Sequence, residues 1–146
     1  MNKFTLTGAT IIVVVFGAYA FTRISNQSPA AQKAAAPEDG AAMVAVTLPD
    51  TLSAEATLGK RAFDAVCADC HGDNAAGKMG TAPPLIHKIY EPSHHGDMAF
   101  QVAATNGVRA HHWRFGDMPP QPLVTRADVR SIIAYVREVQ RANGIN

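Results

Sequence analysis

Cysteine is scarce in this chain of 146 residues, which contains only Cys67 and Cys70. A zinc ribbon needs a second pair of ligands at similar spacing, so the absence of further cysteines argues against a structural zinc site. The sequence also lacks the alternating apolar and polar residues of β-strands, so no βαβ pattern surrounds the two thiols as it would in a thioredoxin-like dithiol. These absences predict an all-α domain.

An excess of charge of one sign is also missing. The 13 Lys and Arg residues nearly balance the 12 Asp and Glu residues, and the formal net charge is +1. A nucleic-acid-binding domain would show a basic patch or a strongly raised isoelectric point, so nucleic acid is not expected as a partner. Any docking surface must therefore depend on local patches of charge.

What is present is the segment Cys67-Ala68-Asp69-Cys70-His71. Two thiols separated by two residues, with a histidine directly after the second, are the pattern of covalent c-type haem attachment. Thiols on one helical turn can add to the two vinyl groups of a haem, and the following imidazole is then held under the iron as its proximal ligand. We therefore predict one covalently bound haem c, with Cys67, Cys70 and His71 in its site.

A second iron ligand is expected from a methionine or a histidine. Met118 lies in a segment without helical or strand periodicity that ends in two prolines, a context that can hold a thioether rigidly and keep water out. The competing candidates are less well placed in the sequence: Met79, Met98, His111 and His112. We predict Met118 as the second ligand, which would close the iron to other ligands and favour electron transfer over oxygen or peroxide chemistry.

Residues 1–24 contain a nearly uncharged apolar run over 4–21. A helix over 4–24, with a rise of about 1.5 Å per residue, would cross the hydrocarbon core of a bilayer. A cleaved secretory signal is the alternative, since Ala18-Tyr19-Ala20 fits the small-x-small cleavage pattern. We predict an uncleaved membrane anchor, with Lys3 on the cytoplasmic side and the C-terminal part exported.

The remainder divides into a linker and a domain. Residues 25–45 are dominated by alanine, glutamine, serine, proline and glycine, and they bury too little apolar surface to offset the entropy of ordering them. This composition predicts a flexible linker that tethers a domain over 46–146.

Three helices are predicted in this domain. Ser53 caps the first, over 54–65, whose apolar positions are Leu58, Ala62, Phe63 and Val66. The second, over 97–105, starts with Asp97 as its cap. Thr125 begins the third, over 126–141, as part of a capping box, and its apolar stripe comprises Val129, Ile132, Ile133, Val136 and Val139 or Gln140.

These motifs resemble class I c-type cytochromes, in particular small bacterial membrane-tethered monohaem members. The resemblance covers about residues 50–146 and rests on Gly59-x-x-x-Phe63, Cys67-Ala68-Asp69-Cys70-His71, Pro83-Pro84-Leu85, Met118-Pro119 and Tyr135. It implies crossed N- and C-terminal helices, with Gly59 and Phe63 packed near Tyr135. It also implies that the carbonyl of Pro83 accepts a hydrogen bond from His71 Nδ1, which would fix the orientation of the imidazole.

The resemblance implies an electron carrier and not an enzyme. The expected partners are redox proteins of membrane respiratory complexes, and the expected place is the bacterial inner membrane, single-pass, with the haem domain on the periplasmic side. The alternatives are a cytochrome subunit of a larger membrane oxidoreductase or oxidase, and a haem sensor or peroxidase with a labile sixth ligand.

Five further histidines have no role in this resemblance: His87, His94, His95, His111 and His112. The two His-His pairs suggest copper or zinc, which imidazole suits. Adjacent side chains of an extended segment point in opposite directions, so each pair would offer one ligand at a time, and a second metal is disfavoured. The alternative is that these histidines hydrogen-bond haem propionates or loop carbonyls, or are solvated. Trp113 and Arg114 are the better candidates for pocket wall and propionate partner.

Overall fold

The computed structural model describes residues 38–146, so the predicted anchor over 1–24 and most of the predicted linker lie outside the described residues. None of the helices within 38–146 combines the length and the hydropathy that a membrane span requires. The helical segments follow one another as α1 (Ala54–Ala62), a π-helical turn (Phe63–Cys67), α2 (Ala68–His71), 3-10 turns (Asp73–Ala75 and Lys88–Tyr90), α3 (Asp97–Asn106) and α4 (Arg126–Ala142). This part of the chain has isolated bridges but no strand, so the all-α prediction is confirmed there.

Helix α1 begins as predicted and continues into the haem-attachment motif. The hydroxyl of Ser53 accepts a hydrogen bond from Ala56 N at 3.1 Å. The buried face runs through Ala56, Gly59 and Phe63, whereas Leu58 is 50% exposed. Leu58, one of the apolar positions at helical spacing, is therefore not part of the core, because the buried stripe begins at Ala56 and Leu58 lies on another side of the helix. Beyond Ala62 the turn widens, and Ala68 N donates to the carbonyl of Phe63.

Helix α4 has the predicted cap and the predicted buried stripe. Asp128 N donates to Thr125 Oγ1 at 3.2 Å, and Thr125 N donates to the Asp128 carboxylate at 2.8 Å, which completes the capping box. All the apolar positions predicted for this helix are buried, together with a glutamine: Val129, Ile132, Ile133, Val136, Val139 and Gln140.

Helices α1 and α4 cross where glycine permits it. A Cβ at Gly59 would lie 1.7 Å from the Ser131 carbonyl oxygen, so only glycine allows the two backbones to come this close. Beside the crossing, the rings of Phe63 and Tyr135 are fully buried, and their centroids are 5.6 Å apart. This is the packing that the resemblance implied.

Helix α3 starts at the predicted place but with a different cap. Gly96 occupies the N-cap position, and Asp97 lies inside the first turn. The Asp97 carboxylate instead accepts a hydrogen bond from Arg137 Nε at 2.9 Å. The prediction that Asp97 caps this helix was wrong, because the Asp97 side chain forms an ion pair with Arg137 of α4.

The segment between 85 and 95 has no long helix and is fixed by two polar side chains of α4. Arg137 is only 8% exposed and donates to the carbonyls of Tyr90 (2.7 Å) and His95 (2.6 Å). Gln140 is fully buried, and its amide donates to the carbonyls of Leu85 (2.9 Å) and Tyr90 (3.0 Å). Buried carbonyls need such donors, so these two residues organise the segment.

Ordered contacts begin before the predicted start of the domain at residue 46. Met43 N and Val44 N both donate to the carbonyl of Ala76, at 3.1 and 3.2 Å, and Gly40 N donates to the carbonyl of Met79 at 2.9 Å. The last residues assigned to the linker therefore pair with the loop that follows the haem-attachment motif.

Candidate functional site

A cavity of about 760 Å³ lies between the haem-attachment motif, α3 and the loop over 107–121. Cofactor sites commonly have volumes of about 300–1,000 Å³ and mainly apolar walls. All five residues predicted for the site line it: Cys67, Cys70, His71, Pro83 and Met118. A second depression, of about 770 Å³, is lined mostly by charged residues of α1, α3 and α4 and by none of these five.

His71 is oriented by the loop that follows it. Gly77 N donates to the His71 carbonyl at 2.7 Å and Lys78 N to the Ala82 carbonyl at 2.9 Å, and this reversal returns the chain to the histidine. His71 Nδ1 then lies 2.9 Å from the carbonyl oxygen of Pro83. Because a carbonyl can only accept, Nδ1 carries the proton and Nε2 keeps its lone pair.

The protonation of His71 agrees with this arrangement. Burial lowers the pKa of its imidazole, and the hydrogen bond to Pro83 opposes that shift only in part. A neutral imidazole with a free Nε2 is the form that binds iron or another metal.

The two cysteines are not joined by a disulfide. Cys67 is half-buried, and desolvation, with a smaller contribution from Cys70, raises the pKa of its thiol to about 11. Reactive dithiols have lowered thiol pKa values, because the thiolate is the nucleophile. The environment of Cys67 therefore argues against a redox-active dithiol.

Met118 is held in place by its backbone. It exchanges two hydrogen bonds with Val108, each 2.9 Å long, which closes the intervening residues into a loop. Gly107 precedes this bridge with a φ of +76°, and a Cβ there would lie 2.5 Å from the Met118 carbonyl oxygen. Of the other ligand candidates, Met79 is absent from the cavity wall, and the remainder line it: Met98, His111 and His112.

Trp113 contributes to the cavity wall and carries an unsatisfied donor. Its indole Nε1 is buried and makes no hydrogen bond of regular geometry in the part of the chain that the structure describes, although it lies near enough to the Tyr90 hydroxyl to oppose the rise in pKa that burial gives that group. A buried N–H without a partner is costly, so this donor fits an acceptor group on a bound cofactor. Arg114, the predicted propionate partner, is not among the lining residues, whereas Arg109 is. Sequence reasoning did not single out Arg109.

Three of the five histidines come together at the edge of the cavity. His94, His95 and His112 each offer a ring nitrogen, and these nitrogens all lie within 4.8 Å of one another. The prediction that each His-His pair offers one ligand at a time was wrong for the first pair, because residues 91–95 form a turn and not an extended segment. The pKa of His112 is lowered, first by desolvation and then by the imidazoles of His111, His95 and His94.

Comparison with known proteins bears on this site. The family model for Cytochrome c matches residues 56–140, which is more than half of the chain. No curated protein and no solved structure gave a significant match. The matched domain implies covalently attached haem c and supports haem-based electron transfer, and its members are typically electron carriers. The cavity fits that cofactor in volume, apolar lining, paired thiols and neutral imidazole. The chain belongs to the cytochrome c family.

Proposed function

We propose that this protein is a one-electron carrier whose haem iron is ligated by His71 and Met118. The observation that carries the proposal is that one cavity is lined by both of these residues and by both cysteines of the attachment motif. The two ligands come from separate elements, α2 and the loop closed by the Val108–Met118 bridge, and each is fixed by hydrogen bonds.

The chain's own residues have distinct tasks in this proposal. Cys67 and Cys70 attach the cofactor, which supplies an iron that changes between Fe(II) and Fe(III). Pro83 keeps the proton of His71 on Nδ1, so Nε2 is always available as a ligand. Trp113 offers its buried indole N–H to an acceptor on the haem. No side chain has to transfer a proton, which suits a carrier and not an enzyme.

Replacing Met118 with alanine tests the ligand assignment. We expect the ferric protein to lose the methionine-to-iron charge-transfer band, to have a lower reduction potential, and to bind carbon monoxide rapidly once reduced. Met98→Ala is the matched control, because Met98 also lines the cavity but is 62% exposed, and it should leave all three properties unchanged. An unaltered spectrum in Met118→Ala would show that another residue is the ligand.

We also propose that residues 4–24 anchor the chain in the bacterial inner membrane, with the haem domain on the periplasmic side. The uncharged run between Lys3 and Arg23 supports this arrangement. A tether raises the local concentration of the domain near membrane-bound redox partners, which are its proposed donors and acceptors. N-terminal sequencing of the mature chain from washed membranes tests the anchor: a chain starting just after residue 20 would show that the segment is a cleaved signal.

Mild detergent purification of the haem-containing membrane fraction tests whether the protein is a mobile carrier or a fixed subunit of a complex. A mobile carrier should purify alone, whereas stoichiometric partner chains would identify a fixed subunit of a larger oxidoreductase.

A further inference from the structure

The histidines beside the cavity form a compact group with a defined geometry. His94 Nε2 and His112 Nε2 are 3.4 Å apart, and His95 brings a third ring nitrogen within 4.8 Å of both. In a tetrahedral zinc site, with Zn–N distances of about 2.0–2.1 Å, two nitrogen ligands lie about 3.3–3.4 Å apart. The His94–His112 pair already has the separation that a shared metal ion requires.

The position of His95 is set by the buried core. Its Nδ1 donates to the carbonyl of Ile89 at 2.7 Å, which leaves the lone pair on Nε2. Its own carbonyl accepts from Arg137 Nη2 at 2.6 Å, so the nearly buried arginine of α4 also fixes the backbone. In metal-binding histidines, the ring nitrogen that does not bind the metal usually donates a hydrogen bond to a carboxylate, a backbone carbonyl or water.

The turn that carries His94 is equally well determined. His94 N and His95 N both donate to the carbonyl of Glu91, at 3.1 and 2.8 Å, and this turn directs two successive imidazoles to the same region. His112 comes from the loop that the Val108–Met118 bridge closes. Three ligands from two separately anchored segments leave a fourth coordination position open to solvent, because His94 and His112 are exposed.

The donor set restricts the type of ion. Imidazole suits zinc and copper, whereas calcium and magnesium require oxygen ligands, and no carboxylate belongs to this group. Among divalent first-row ions, Cu²⁺ binds nitrogen sites most strongly and Zn²⁺ accepts three imidazoles and a water. An imidazole–imidazole hydrogen bond would explain the His94–His112 distance alone, but it would not explain the third nitrogen.

We propose that His94, His95 and His112 bind one Zn²⁺ or Cu²⁺ ion at the edge of the haem cavity. This site is separate from the haem iron, and it rests on the proposed function only in that His112 must not be the second iron ligand, the role proposed for Met118. His95 and His112 line the cavity, and His94 does not, so His94 offers a way to remove the metal site without altering the cavity wall.

The test is a titration of the ferric, haem-loaded full-length chain in mild detergent with Zn²⁺, in competition with a chromophoric chelator. We expect one ion per chain with a dissociation constant in the micromolar range or tighter. His94→Ala should weaken binding at least about tenfold, since loss of even an indirect partner of a metal site costs about 10–100-fold. Electron paramagnetic resonance of a stoichiometric Cu²⁺ complex should show nitrogen hyperfine structure, which His94→Ala should change.

His111→Ala is the matched control. His111 is adjacent to His112 but lies outside the group of three, and its Nδ1 donates to the Arg109 carbonyl at 2.8 Å. We expect it to bind Zn²⁺ like the unaltered chain, and we expect the haem spectrum of His94→Ala to be unchanged. Absence of saturable one-to-one binding, or equal losses in His94→Ala and His111→Ala, would overturn the proposed site.

Discussion

The two halves of this domain are held together in different ways. Where α1 crosses α4, the buried contacts are close packing contacts, with Gly59 against the backbone of Ser131 and Phe63 against Tyr135, whereas the hydrogen bond from Ser131 Oγ to Glu55 is exposed. In the half that includes the segment over 85–95, the chain has little regular structure, and buried polar groups of α4 determine its path. A mutation should therefore act through packing in the first half and through hydrogen bonding in the second.

The largest effect is expected at the helix crossing. Gly59→Ala places a Cβ 1.7 Å from the Ser131 carbonyl oxygen, and a backbone atom of a packed helix cannot move aside as a flexible side chain could. We expect the free energy of unfolding of the haem-loaded chain to fall by about 3 kcal/mol, at the upper end of the usual cost of overpacking. Denaturant unfolding followed by circular dichroism measures it.

Gly96→Ala is the matched control for this substitution. A Cβ at Gly96 would meet only the Pro92 carbonyl oxygen, at an ordinary distance of 3.5 Å. Its expected cost is about 0.5–1 kcal/mol, because alanine is a poorer N-cap than glycine. Similar losses in the two variants would mean that the helix crossing can relax and that its close approach is not essential.

A smaller effect is expected in the polar half. Arg137→Met fills a similar volume but leaves the His95 carbonyl and the buried Gln140 Oε1 without their donor, whereas the Tyr90 carbonyl keeps the amide of Gln140. We expect a loss of about 2 kcal/mol in the free energy of unfolding, within the usual cost of leaving buried acceptors without a partner. Hydrogen exchange should increase over 85–95 and not at the helix crossing.

Arg130→Met serves as the control on the same helix. Arg130 is exposed, and within residues 38–146 its side chain makes only one hydrogen bond, a long one of 3.5 Å to the Arg126 carbonyl. A change within about 0.5 kcal/mol is expected for such a surface residue. If Arg137→Met changed the free energy of unfolding as little as Arg130→Met, the segment over 85–95 would be held by its own turns and not by α4.

The same contrast explains what could be predicted from the sequence. The stripe of α4, the caps at Ser53 and Thr125, and the cysteine motif depend on local spacing, which the sequence displays directly. Arg137 and Gln140 were missed as organisers, because their partners lie 40–55 residues away and polar side chains on a helix normally face solvent. The proximity of His94 and His95 to His112 was not predicted, because it depends on the turn at Glu91 and on the loop that the Val108–Met118 bridge closes.

The smallest effect concerns the caps of the two crossing helices and their dependence on pH. Thr125→Ala removes the side chain that caps α4, and we expect a loss of about 1 kcal/mol near neutral pH. Ser53→Ala removes the corresponding cap of α1 and should cost a similar amount. Only at Thr125 does a carboxylate bond the capping side chain itself, since Asp128 accepts hydrogen bonds from both the Thr125 hydroxyl (2.7 Å) and the Thr125 N–H (2.8 Å). At Ser53 the Glu138 carboxylate accepts from the backbone N–H (3.0 Å), a bond that Ser53→Ala keeps.

The two caps should therefore respond differently to acid. The Thr125 hydroxyl, and then its backbone N–H, lower the pKa of Asp128 in the folded state. The unfolded chain thus takes up this proton at higher pH, so the stabilisation is fully present above the ordinary aspartate pKa of about 3.9 and is lost as the pH falls through the folded pKa. The stability difference between the wild type and Thr125→Ala should begin to shrink below about pH 5 and should continue to shrink as the pH falls through the lowered pKa of Asp128. The difference for Ser53→Ala should stay constant, and parallel changes in both variants would mean that acid acts on the helix pair as a whole and not through Asp128.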